Sequence, residues 1–128
     1  MPTRSTQIDT AMARVVRTAD NMVEVHIRPR TRLDEAGMRE VMEARRSLMA
    51  GDRGTILFVA EGDPDWDPTL LKTDHFGAQA ESITAVAFVV SNKVLALVLN
   101  THFSLFPPTF STLEGSEPSA TREWLLEK

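Results

Sequence analysis

The sequence predicts an α/β fold, and three observations predict it. Two apolar runs, residues 55–60 (TILFVA) and 84–90 (TAVAFVV), have strand length and lack polar alternation, as strands buried on both faces do. A segment of helical periodicity followed by a tight turn leads into residues 55–60, which is the pattern of a parallel β-α-β crossover. Residues 91–104 (SNKVLALVLNTHFS) carry the second run straight into a helix almost as apolar as the strand. Other elements must cover that pair.

The bulk properties narrow the function classes. The chain has 128 residues, a formal net charge of −4, 42% hydrophobic and 25% charged residues, and no cysteine. That length suits one domain, here residues 11–128 behind a fraying N-terminus of residues 1–10. A mildly acidic balance argues against nucleic acid or an anionic membrane surface as partner. Without cysteine there is neither a disulfide framework nor thiolate chemistry. The polar start, MPTRSTQIDT, predicts no secretory signal, and the longest apolar run, broken by Ser91, Asn92 and Lys93, is too short for a membrane span. The expected location is the cytoplasm.

In chain order, residues 11–18 and 22–28 flank the polar turn Ala19-Asp20-Asn21 and predict a β-hairpin. The second strand alternates: Val23, Val25 and Ile27 point one way, and Glu24, His26 and Arg28 the other. One covered and one wet face places it near a sheet edge. Pro29 ends it. Asp34 is the N-cap candidate of a helix in which Met38, Val41, Met42, Leu48 and Met49 recur at helical spacing, with Arg45 the one discord. Glu35 and Arg39 form an i,i+4 pair of favourable order, and Gly51 is placed to end the helix.

The loop at residues 61–69 (EGDPDWDPT) follows the first buried strand. Asp67 or Thr69 then opens a helix reaching about Ser82, with Gly77 weakening its middle. Ser91 or Asn92 caps the helix at residues 93–103, and Pro107-Pro108 stops it. A short strand at residues 109–113 and a turn at Gly115-Ser116 precede a last helix over residues 117–127, with Ala120, Trp124 and Leu125 as its buried stripe.

Four features carry candidate chemistry. The acidic loop, with Asp63, Asp65, Trp66 and Asp67, lies where α/β sheets collect ligands. Its oxygen donors suit Mg²⁺ or Ca²⁺, but calcium-loop spacing is absent, and a solvated loop shaped by Pro64 and Pro68 is the plainer reading. The histidines His26, His75 and His102 show no metal-ligand spacing and read as structural. Thr69 is a candidate phosphosite at a helix start, and a helix-capping threonine is the plainer reading. The helix at residues 93–103 has apolar side chains around more than one face. Val94, Leu95, Val98, Leu99, His102 and Phe103 therefore make the candidate interaction surface, for a second copy of the chain in preference to a protein or lipid partner of another kind.

The chain resembles small bacterial proteins that share the fold of the STAS domain, the anti-sigma-factor antagonist domain, often grouped with CRAL-TRIO lipid-binding domains. The resemblance covers residues 15–126. It rests on the N-terminal hairpin, Leu33-Asp34-Glu35-Ala36 opening the first helix, the apolar strand at residues 56–59, and Thr84-Ala85-Val86-Ala87-Phe88 followed by Ser91. It rests further on Asn100 with Phe103, on Pro107-Pro108 and on Trp124-Leu125. It implies a mixed sheet of four or five strands, about four helices largely on one side, and a regulatory or interaction module that is not an enzyme and needs no cofactor or metal. In STAS antagonists a partner kinase phosphorylates a serine at the start of the second helix. Residues 61–79 hold no serine, only Thr69 and Thr73. The expectation is thus a non-catalytic, homodimeric module; the alternative is a protein that binds a small apolar ligand or lipid.

Overall fold

The computed structural model describes residues 6–62 and 64–128. Its centre is a mixed sheet of six strands: β1 (Gln7–Asp9), β2 (Ala13–Ala19), β3 (Met22–Ile27), β5 (Gly54–Ala60), β7 (Ile83–Val90) and β8 (Ser111–Gly115), lying side by side in that order. The first three pair antiparallel, and β3, β5, β7 and β8 run parallel. Two further short strands, β4 (Arg32–Leu33) and β6 (Asp65–Trp66), pair with each other outside the sheet. The α/β class is as the apolar runs predict. The sheet is wider than the expected four or five strands because residues 7–9 do not fray: they add an edge strand, Ile8 against Val15. That addition takes β2 off the edge, and β3, expected near an edge, is third in the sheet between β2 and β5.

The helix α1 (Glu35–Met49) begins where expected. Asp34 accepts a 2.7 Å hydrogen bond from the Gly37 amide, and Arg39 meets Glu35 at 2.6 Å. It ends with Ala50 and Gly51 both at positive φ. Arg45, the discord in its apolar stripe, is fully buried. It donates to Gln79 Oε1, Ser82 Oγ and the Ser82 carbonyl, and so ties α1 to the segment preceding β7.

The expected helix up to Ser82 is broken in two: α2 (Thr69–Lys72) and a 3-10 turn at Gly77–Ser82. The Asp74 carboxylate accepts from the amides of Phe76 and Gly77, a local bond that competes with helix continuation. By contrast α3 (Lys93–Leu105) forms cleanly, Asn92 accepting from the amides of Val94 and Leu95. In α4 (Pro118–Leu126), Glu117 caps the Ala120 amide. Of the expected stripe of α4, Leu125 is buried and Trp124 half-buried on the same core, while Ala120 is exposed and Thr121 takes its place inside.

The two sheet faces are covered differently. Val23, Val25, Ile56, Phe58, Val86 and Phe88 share one core with α1, α2 and α3. Met22, Leu57, Val59, Ala85 and Ala87 form a second, smaller core under Leu125 and Trp124 of α4. The face of β3 expected to be wet is therefore roofed. Glu24 is 3% exposed, and Arg122 of α4 reaches down to it with two hydrogen bonds of 2.8 and 2.9 Å.

Candidate functional site

The helix α3 presents two surfaces. Inward, Leu95, Val98 and His102 are buried against the sheet, and Leu99 and Phe103 pack half-buried on the same core. Five of the six residues expected to form a contact surface thus belong to the interior, because the wide sheet and α2 take up the helix face they share. Outward, Val94, Leu97 and Leu105 are 57%, 65% and 54% exposed. They stand at i, i+3 and i+11, one above another on a helical surface. Thr101 lies between them, and no acidic or basic side chain interrupts the row. Of the residues singled out from sequence, Val94 alone lies on this surface. Hydropathy could not separate the two sides, since both are apolar.

Beneath α3 lies a cavity of about 50 Å³. Ile27, Ala60 and Val90, the last residues of β3, β5 and β7, contribute to its wall, so it sits at the carboxyl ends of the parallel strands. Every lining side chain is apolar except His75 and His102. Sites for drug-sized ligands run to roughly 300–1,000 Å³. The cavity as it stands is too small for an acyl chain.

The two histidines are the pairing that sequence reasoning missed. They lie 27 positions apart, on the segment between α2 and the 3-10 turn and on α3, and no spacing rule links them. Their rings stack with centroids 5.0 Å apart, and the rings of Phe76, Phe103 and Phe106 pack around His102. His75 donates from Nε2 to the Leu70 carbonyl at 2.7 Å. His102 places Nδ1 at 3.4 Å from the Leu71 carbonyl, and its buried Nε2 has no partner. Burial pushes the pKa of both below the ordinary histidine value, and for His102 the neighbouring His75 adds to the shift. Both rings are therefore neutral at pH 7.

The acidic loop turns inward on itself. Asp63 lies outside the described residues. Asp65 and Asp67 approach Arg32 at 3.5 and 3.3 Å, and Trp66 pairs beside Leu33 and packs on the core. Asp67 Oδ1 accepts from both the amide and the hydroxyl of Thr69. These bonds to Thr69, opposed in part by desolvation and aided by Arg32, hold the Asp67 carboxyl below the usual range. Among the described residues no group of three or more histidine, aspartate or glutamate side chains is placed to hold a metal ion. Thr69 is exposed, but its hydroxyl already faces a carboxylate, and a phosphate there would meet like charge from Asp67.

No protein-family model, curated protein or solved structure matches the chain. No helix of the described residues is long and apolar enough to cross a membrane.

Proposed function

We propose that the protein is a non-catalytic, STAS-like interaction module of the cytoplasm that self-associates through the outward face of α3. The observation that carries this reading is the charge-free row of Val94, Leu97 and Leu105. Apart from Leu126 these are the large apolar side chains left exposed among the described residues. A two-fold axis beside α3 would set the row against its own copy, a self-complementary apolar contact with the exposed Lys93 at its N-terminal edge. Fully burying one such side chain contributes about 1.5–3 kcal/mol. Each is already about half covered, so six of them gain roughly 5–9 kcal/mol. Association costs about 4–15 kcal/mol. At the low end of that cost the net gain is at most about 5 kcal/mol, a dimer of submillimolar affinity that forms only at high concentration.

Sedimentation from low micromolar to near-millimolar concentration tests it. The expected outcome is a concentration-dependent dimer, abolished by Leu97→Glu. A chain that stays monomeric across that range removes the reading. The alternative, binding of a small apolar ligand, is supported by a separate observation, the cavity beneath α3.

A further inference from the structure

We propose that the groove between the C-terminal end of α3 and the segment preceding β7 is a binding site for a small organic amine, a molecule with an apolar body and a protonated primary amino group that pairs with the Asp74 carboxylate. Three observations lead there. The groove has a volume of about 280 Å³, close to the lower bound of roughly 300 Å³ for small-ligand sites. Its apolar wall includes Phe103 and Phe106 at the end of α3 and Phe110 beyond Pro107-Pro108, and the rings of Phe103 and Phe110 meet edge to face at 6.4 Å. Asp74 and Gly77 complete the other side, and Asp74 is the one charged residue lining the groove among the described residues. Finally, that carboxylate is only half used. Its Oδ1 accepts from the amides of Phe76 and Gly77 at 3.3 and 3.0 Å, while Oδ2 accepts no hydrogen bond and no lysine or arginine among the described residues pairs with it. Gly77 leaves Oδ2 uncovered, since a Cβ there would collide with it.

The chemistry of the groove selects the ligand. An occupant that fills it displaces water from around Asp74, and a carboxylate loses hydration at high cost unless a cation replaces it. A neutral apolar molecule supplies no replacement, and an anion adds repulsion. A metal ion is poorly served as well. One carboxylate stands among uncharged residues, and among the described residues no group of three or more histidine, aspartate or glutamate side chains is placed to hold a metal. A protonated primary amine meets each requirement. Its N–H groups donate to Oδ2 in a charge-assisted bond, and its apolar body lies against the phenylalanine side chains. The volume suits one ring on a short arm.

The test titrates the full chain with 2-phenylethylamine, with 2-phenylethanol, equal in heavy atoms but uncharged, and with phenylacetate. The Gly77 amide and the ring resonances of Phe106 and Phe110 report binding. We expect saturable shifts with the amine, at least five-fold weaker binding of the alcohol, and none of the carboxylate. Asp74→Asn should bring amine and alcohol to equal affinity by weakening the amine alone. An asparagine side-chain oxygen can still accept from the Phe76 and Gly77 amides, so this variant keeps the local fold. Leu105 lines the groove and also belongs to the exposed row of α3. The titration is therefore run at tens of micromolar chain, below the range in which a submillimolar dimer forms. Leu97 lies outside the groove, so Leu97→Glu should leave amine binding unchanged while it abolishes self-association. Failure of one proposal is thus distinct from failure of the other. Equal affinities for amine and alcohol in the unaltered chain, absence of saturation by the amine, a preference for the amine that survives in Asp74→Asn, or loss of binding in Leu97→Glu would each overturn the proposal.

Discussion

One face of the sheet is covered by α1, α2, the 3-10 turn and α3, the other by α4 alone, and the side chains beneath differ accordingly. The first face carries Ile56, Phe58 and Phe88, large residues that meet several helices approaching at different heights. Large side chains under a layer built from four pieces leave a gap, and that gap is the cavity. The second face carries Ala85 and Ala87, which let one short helix sit close to the backbone. Gly115 continues this close approach, since a Cβ there would come within 3.0 Å of Thr121 Cβ. What α4 lacks in apolar area it replaces with the Arg122–Glu24 pair. The first face is held by volume and tolerates a void. The second is held by a few contacts, none of which has a substitute.

If that contrast is right, the largest effects lie on the second face. Leu125→Ala removes the one fully buried large apolar side chain of α4. It should cost about 4 kcal/mol, within the range for buried leucine truncation. Urea unfolding gives the value, and limited proteolysis should cut first in α4; a loss under about 1 kcal/mol would show that α4 is not what closes this face. Arg122→Met comes next. It removes the cation facing the Glu24 carboxylate and leaves only His26 and Thr18 beside it, and breaking a buried pair typically costs about 3–5 kcal/mol. Arg122 is 39% exposed, so water softens the loss toward about 3 kcal/mol. The double variant Glu24→Leu, Arg122→Met should recover most of it, since replacing both partners avoids an unpaired charge. A double variant no more stable than Arg122→Met would sink this explanation of the pair.

The two faces also differ in how far the sequence revealed them. The strands β5 and β7 and the helices α1 and α3 are legible because their signals are local: apolar runs of strand length, and Asp34 and Asn92 at the helix starts. What sets the second face is not local. Glu24 reads as solvent-facing from strand alternation, and its cover, Arg122, lies 98 positions away. His75 and His102 fail in the same way, as two unremarkable histidines until the fold stacks them. The edge strand β1 is hidden because a three-residue polar strand has no hydrophobic pattern to read. On α3 the limit is different. Its apolar content announces that something must cover it, but only the packed sheet shows that Leu97 and Leu105 face outward while Leu95 and Val98 face in.

Acid should separate the faces without any substitution. His75 and His102 have folded-state pKa values lowered by burial. The unfolded chain then binds more protons below the ordinary histidine value of about 6.5. Their contribution is therefore complete above about pH 6.5 and falls as the pH drops below it. Around them, Asp74 works against both shifts, and Glu35 against that of His75, without reversing either. Desolvation raises the pKa of Glu24, but the hydrogen bonds and charge of Arg122, together with hydrogen bonds from His26 and Thr18, outweigh it, and the folded value is lowered. Its contribution is present above the ordinary glutamate value of about 4.3 and is lost as the pH falls through the folded pKa. Unfolding midpoints measured against pH should therefore show two acid steps, the first face weakening before the second. His102→Phe should flatten the upper step, and Arg122→Met the lower. A single step near pH 4 would mean the histidine pair is not buried as described.

The smallest effect tests the void itself. Val86 is 1% exposed and lines the cavity. Adding one methylene with Val86→Ile either fills empty space or meets packed atoms, and the sign of the change in stability distinguishes the two. On the first face, where side chains leave a gap, the substitution should stabilise by about 0.5–1 kcal/mol, as cavity-filling changes commonly do. The control is Ala87→Val, the next residue on β7, whose side chain points to the close-packed second face. There added volume has nowhere to go and should cost about 1–3 kcal/mol. Opposite signs from neighbouring positions on one strand would be direct evidence that the two faces are built differently. Equal costs would mean that both are filled to the same density and that the first face has no room for a ligand.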